Sequence, residues 1–340
     1  MVPRDVGCSD ADRSDVDPSD AEHSDAGRSD AERSDVDGAE SADFGSGLFD
    51  AAAALDSQLP DVDWSELPAG AWRLELTVPS GSLAAIAMGD PAHPRIVLVP
   101  GVTGSKEDFI LMMPGLAAAG YFVLSYDLAG QYESAAAGPE NLVPPRGSYE
   151  YDLFVDDLLA VLEFGDGPAH VLGYSFAGTV TQIALSLRPE LFASLTLLSC
   201  PPEPGQSFRG VSRIGPVTSL ANGSIGAALM IWGIRRNFTK VPPGRLAFVN
   251  QRFALTRRQS VKDIIALMKR APDLRPVLAE AGLPLMVAVG EHDLWPLRLH
   301  ADFARSVGAT LAVYRAGHSP CETSPHQLNR DLLALFDSAK

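Results

Sequence analysis

A serine sits in the string Gly173-Tyr174-Ser175-Phe176-Ala177-Gly178, between a short apolar run and a helical pattern. A serine on a tight strand-to-helix turn is a nucleophile elbow, whose strained backbone needs small neighbours two residues away on either side. Gly173 meets that need, and Ala177 replaces the usual glycine by the smallest possible addition. An idle serine on a tight turn would leave the same string, so the assignment depends on partners. A hydroxyl is a poor nucleophile at neutral pH unless a base lies within hydrogen-bond reach. Seven histidines are available. His23 lies in a repeat, His93 and His170 fall at the wrong end of their strands, and His300 and His326 lie in helical patterns that would leave them exposed. His318, in Ala316-Gly317-His318-Ser319-Pro320, directly follows the last strand pattern and is the candidate base. A third group must hold its imidazole in one tautomer. Asp293 and Glu291, after the apolar run 285–289, compete for that role. The chain order serine, acid, histidine and the G-x-x-D spacing favour Asp293.

Attack on a carbonyl also needs two donors aimed at the developing oxyanion. The backbone N–H of Phe176 is one candidate, and that of Val102, in the turn Gly101-Val102-Thr103-Gly104-Ser105, is the other. The hydroxyls of Thr103 and Ser105 either add a donor or cap the helix that follows.

The elements that must position these residues alternate. Residues 73–78 and 83–88 read as paired strands around Pro79-Ser80-Gly81, and 95–100 as a strand buried on both faces. Helical patterns at 106–119, 149–164, 176–187, 297–307 and 325–336 interleave with strand patterns at 121–126, 170–173, 195–199, 285–289 and 310–314. One excursion, 201–280, breaks the alternation. The expected fold is α/β: a doubly wound, mostly parallel sheet, with core segments 70–200 and 281–340 and an inserted helical cap at 201–280. Active sites in such sheets lie at the carboxyl ends of the strands, which is where Ser175, Asp293 and His318 fall.

With these motifs assembled, residues 72–338 resemble the α/β-hydrolase superfamily. Pro100-Gly101-Val102-Thr103-Gly104 is similar to its H-G-x-x-G oxyanion loop, with proline in place of histidine. Asp127-Leu128-Ala129-Gly130 is similar to its D-x-x-G turn. Residues 173–178, 290–293 and 317–318 resemble its elbow, acid and base motifs. The resemblance implies hydrolysis through an acyl-enzyme without metal or cofactor. The apolar stretch in the insert adds the expectation of a small, largely apolar ester or related carbonyl substrate. A cofactor-free peroxidase or lyase on the same scaffold is a rival, and a ligand-binding receptor with the fold is another.

The net charge of −16 belongs to the N-terminus: residues 1–69 hold 19 Asp/Glu against 4 Arg. Pentapeptide repeats at 9–38 (SDADR, SDVDP, SDAEH and so on) carry almost no large apolar side chains, so 1–69 is expected to be largely disordered, or in part untranslated. The insert 201–280 is opposite in sign, with 13 Lys/Arg against 4 Asp/Glu. That charge is a solvated face, a guide for anionic substrates, or a seat for the acidic tail. Residues 214–234 are long enough to span a bilayer but hold Pro216, Asn222 and four glycines, so no stable span is expected. Within them Met230 and Trp232 are candidates for an apolar pocket; Gly101, Tyr174 and Trp295 complete the proposed substrate wall. Cys8, Cys200 and Cys321 fit no metal or disulfide pattern. A cytoplasmic protein with a small-molecule substrate and no nucleic-acid partner is the expectation.

Overall fold

The residues that alternate along β3 (Arg95–Val99) show how the molecule is layered. Val97 and Val99 point into one apolar core, while Ile96 and Leu98 point into a second core on the opposite face of the sheet. A strand buried on both faces needs helices on both sides, and the chain supplies them. The computed structural model describes residues 50–205, 207 and 241–339, within one unit, Phe49–Lys340. The repeats, Cys8, residues 214–234, Met230 and Trp232 lie outside the described residues.

Eight described strands form one sheet in the order β1-β2-β4-β3-β5-β6-β7-β8. β1 (Ala71–Val78) and β2 (Gly81–Met88) form a hairpin, and β2 pairs antiparallel with β4 (Phe122–Tyr126). From β4 onward every pairing is parallel, through β3, β5 (Ala169–Tyr174), β6 (Phe192–Leu198), β7 (Leu285–Gly290) and β8 (Thr310–Tyr314). The first core takes Phe154 from α3 (Tyr151–Glu163) and Val180 from α4 (Phe176–Leu187). The second takes Leu116 from α2 (Met113–Ala118). The expected fold class is the observed one.

Two expectations need correction. A single helix over 106–119 does not form: a 3-10 turn, Lys106–Phe109, precedes the separate α2. A continuous helix would require Pro114 to donate a backbone N–H to residue 110, which proline lacks; it fits instead in the first turn of a new helix. The first turn is also held elsewhere, because Lys106 N–H donates to Asp127 Oδ1 at 2.8 Å and its Nζ to Asp127 Oδ2 at 3.0 Å. The folded body also begins well before Trp72. α1 (Ala51–Asp56) packs on the last helix, α10 (Pro325–Asp337), which follows the one-turn α9 (Pro320–Thr323), and Trp64 is buried. Asp56 caps α10 from a distance, its two oxygens accepting the backbone N–H groups of His326 (2.9 Å) and Gln327 (3.1 Å). Residues 50–69 are therefore structured.

The described part of the insert is helical: α5 (Pro243–Leu255), α6 (Arg258–Met268) and α7 (Arg275–Ala279). Four of its described basic residues meet acids of the body, two of them buried. Arg245 and Arg252 are buried and both donate to Asp108, Arg257 pairs with Glu140, and Arg270 with Glu150. Arg245 also lies over the Trp64 ring, its Cζ 4.2 Å from the centroid.

Candidate active site

The turn after β5 is tight because three side chains near it are small. Ser175 adopts φ 52° and ψ −116°, a conformation that L-residues avoid, and its N–H donates to Leu198 O at 2.9 Å. A Cβ on Gly173 would sit 2.5 Å from Thr181 Oγ1 and 2.8 Å from Ala177 O. One on Gly178 would lie 1.8 Å from Cys200 Sγ. Glycine is required at both places for lack of space. Ala177 is fully buried without such conflict, which explains why its methyl is tolerated.

Three parallel strands, β5, β7 and β8, then deliver the polar groups to one edge. His318, four residues beyond β8, directs Nε2 to Ser175 Oγ at 3.1 Å and Nδ1 to Asp293 Oδ1 at 2.5 Å. Asp293, just past β7, is fully buried. Burial opposes its charge, yet His318 and His300 together hold its carboxyl well below the usual range. The Leu294 N–H also donates to Asp293 Oδ1, at 2.5 Å. Glu291, the competing acid, faces away and pairs with His292 at 3.0 Å. The β7 and β8 loops approach so closely that a Cβ on Gly290 would fall 2.0 Å from Gly317 O.

The loop after β3 passes over the serine. A Cβ on Gly101 would lie 3.0 Å from Ser175 Cβ. Thr103 has φ 57°, and its N–H donates to Gln131 Oε1 at 2.5 Å, so that donor is already committed. Val102 N–H has no acceptor among the described residues, and Phe176 opens α4, where N–H groups have no partner within the helix. Ser105 precedes the 3-10 turn and its hydroxyl accepts from Arg252 at 3.3 Å, so its role is structural. Tyr174 and Trp295, expected in the substrate wall, are both buried against His318, with ring centroids 5.4 and 5.9 Å from the imidazole. The Tyr174 hydroxyl shares a hydrogen bond with Ser319 Oγ at 2.8 Å, and Trp295 Nε1 donates to Ser207 O at 2.6 Å. Both brace the base.

His300 corrects the sequence reading. It lies on α8 (Leu297–Val307), is 1% exposed, and places Nε2 3.4 Å from Asp293 Oδ2. The signal was present: residues 300, 303, 304 and 307 repeat at helical spacing and are all buried. Gln131 was also overlooked, although it follows the Asp127–Gly130 turn at the carboxyl end of β4. Among the described residues no group of three or more His, Cys, Asp or Glu stands together as a metal site, and no helix is long and apolar enough to cross a membrane.

Comparison with known proteins gives the family and the fold. A family model described as the alpha/beta hydrolase family matches residues 96–331. The chain is 26% identical over 291 residues to the polyketide synthase ThaQ of Burkholderia thailandensis, covering 79% of this chain and 13% of that protein. Among solved structures it resembles a hydrolase from Pseudomonas aeruginosa (25% identity, TM-score 0.60, covering 79% of this chain and 99% of that one). It also resembles the enol-lactonase from Burkholderia xenovorans (19% identity, TM-score 0.64, 78% and 100%).

Proposed function

The chain belongs to the alpha/beta hydrolase family, and from that premise we propose that it hydrolyses a small, largely apolar ester through an acyl-enzyme on Ser175. The observation that carries the proposal is the unbroken chain of hydrogen bonds from Ser175 Oγ through His318 to Asp293. In this reading Oγ attacks the ester carbonyl while its proton passes to His318 Nε2. The negative oxygen of the tetrahedral intermediate lies against the N–H groups of Val102 and Phe176. His318, stabilised as imidazolium by Asp293, returns the proton to the leaving alkoxide. Water then attacks the acyl-enzyme by the same route in reverse. The aromatic braces keep the imidazole placed through both half-reactions, and placement within about an ångström is worth up to about 100-fold in rate.

A panel of esters of increasing acyl length, with a thioester and an amide alongside, tests bond type and apolar preference together. Ser175→Ala in parallel should lower kcat by about four to six orders of magnitude. Equal turnover by both proteins would refute the reading.

A further inference from the structure

A carboxylate that orients a catalytic histidine has two oxygens, and in Asp293 they are treated unequally. Oδ1 accepts from His318 Nδ1 and from the Leu294 backbone. Oδ2 is buried and, among the described residues, accepts no bond of ordinary length; His300 Nε2 stands 3.4 Å from it, the outer limit of a hydrogen bond. A buried carboxylate oxygen left bare is costly, and so is a buried imidazole that, like that of His300, has no hydrogen bond at either nitrogen among the described residues. Each is the nearest remedy for the other.

We infer that His300 is a positioning residue: its neutral imidazole donates Nε2–H to Asp293 Oδ2, so that two histidines share one carboxylate and the proton affinity of His318 is set by both. The inference deepens the serine-hydrolase reading and rests on it. The tautomer follows from geometry, since a lone pair on Nε2 would face the lone pairs of Oδ2. The neutral form follows from charge, because two imidazolium ions against one carboxylate would leave a buried positive charge unmatched. The ring is fixed by Trp295, which meets His300 edge-on at 6.2 Å and His318 at a tilt, 5.9 Å away.

The other titratable groups around the pair do not compete. Cys200 faces Asp293 from beyond β6, and burial together with the charge of Asp293 pushes its thiol far up, so it stays neutral. Glu291 and His292 pair with each other, half-exposed. On the outer side of α8, Asp302 pairs with Arg305. Sharing has a definite sign. A carboxylate that also accepts from His300 is a weaker partner for His318 and stabilises its imidazolium less.

The test is the pH profile of kcat/KM in the full chain. His300→Phe removes the donor and leaves Asp293 more basic, so the acid limb should move to higher pH by about half a unit to one unit. His300→Gln, which keeps an N–H at about the Nε2 position, should leave the limb in place and kcat/KM within about twofold. A folded His300→Phe protein with the wild-type limb overturns the inference. If that variant does not fold, the ring nitrogens decide, read by long-range 1H–15N spectra of the Ser175→Ala protein. The expected result is a neutral His300 carrying its proton on Nε2 from pH 5 to 9; a proton on Nδ1, or titration within that range, overturns it. The spectra do not depend on turnover, so failure of the serine reading is told apart from failure of this one.

Discussion

The side-chain carbonyl of Gln131 accepts the backbone N–H of Thr103 at 2.5 Å, tying the turn after β4 to the loop that passes over Ser175. Thr103 is held there at φ 57°, a conformation that persists only when its surroundings impose it. Gln131→Met keeps the volume and removes the acceptor. The loop should relax, and kcat for a good ester should fall about 10- to 100-fold with KM little changed. Unchanged kcat would show that the loop holds its shape without Gln131.

Asp108 joins three parts of the molecule. Its Oδ2 accepts the Ser105 N–H at 3.2 Å, and its Oδ1 accepts from both Arg245 and Arg252 of α5. Arg245 continues to Glu322, at 2.5 Å. Asp108→Ala strands buried positive charge and should cost about 3–5 kcal/mol in urea unfolding. Adding Arg252→Met should recover part of that loss, so the pair must be non-additive; additive losses would mean the ions are independent.

Gly178 and Cys200 occupy one volume between them. Gly178→Ala places a methyl on the Cys200 sulfur and should destabilise by about 1–3 kcal/mol, or more if neither helix nor strand can shift. Cys200→Gly in the same protein should restore most of the lost melting temperature. If it restores none, the contact is not the cause.

Asp157, buried on α3, accepts the Ser80 N–H at 3.0 Å and its hydroxyl at 2.6 Å. Burial pushes its carboxyl up to about 7 despite those bonds. A folded-state value above the unfolded one means the native protein binds the extra proton. Stability from this group is therefore full at low pH and is lost as pH rises towards 7, at up to about 1.4 kcal/mol per unit. Asp157→Asn should flatten that part of the stability curve. A wild-type slope in the variant would assign the effect elsewhere, with Asp127, also pushed up to about 7 by burial, the next group to replace.

The sheet was legible because its strands are short apolar runs closed by glycine or a polar turn, and Ser175, Asp293 and His318 were legible because each directly follows such a run. Local pattern failed where a distant partner decides. Nothing near residue 106 announces that Asp127 will take both its backbone and its ammonium. Likewise Asp56 serves α10 across 270 positions of chain, so the segment around it read as tail. His300 lies on the buried face of its helix, a face marked by Phe303, Ala304 and Val307 at helical spacing. Of Asp293 and Glu291, Asp293 is the one hydrogen-bonded to His318, while Glu291 pairs with His292.

The backbone of Ser175 carries a further implication. Its left-handed φ is a strain that alanine would inherit and glycine would not. Ser175→Gly should therefore be inactive and yet about 1–2 kcal/mol more stable than the wild type. Loss of the nucleophile is thermodynamically downhill for this fold, and a lineage released from selection for turnover would drift towards glycine there. A serine kept at that position is maintained against the preference of its own main chain.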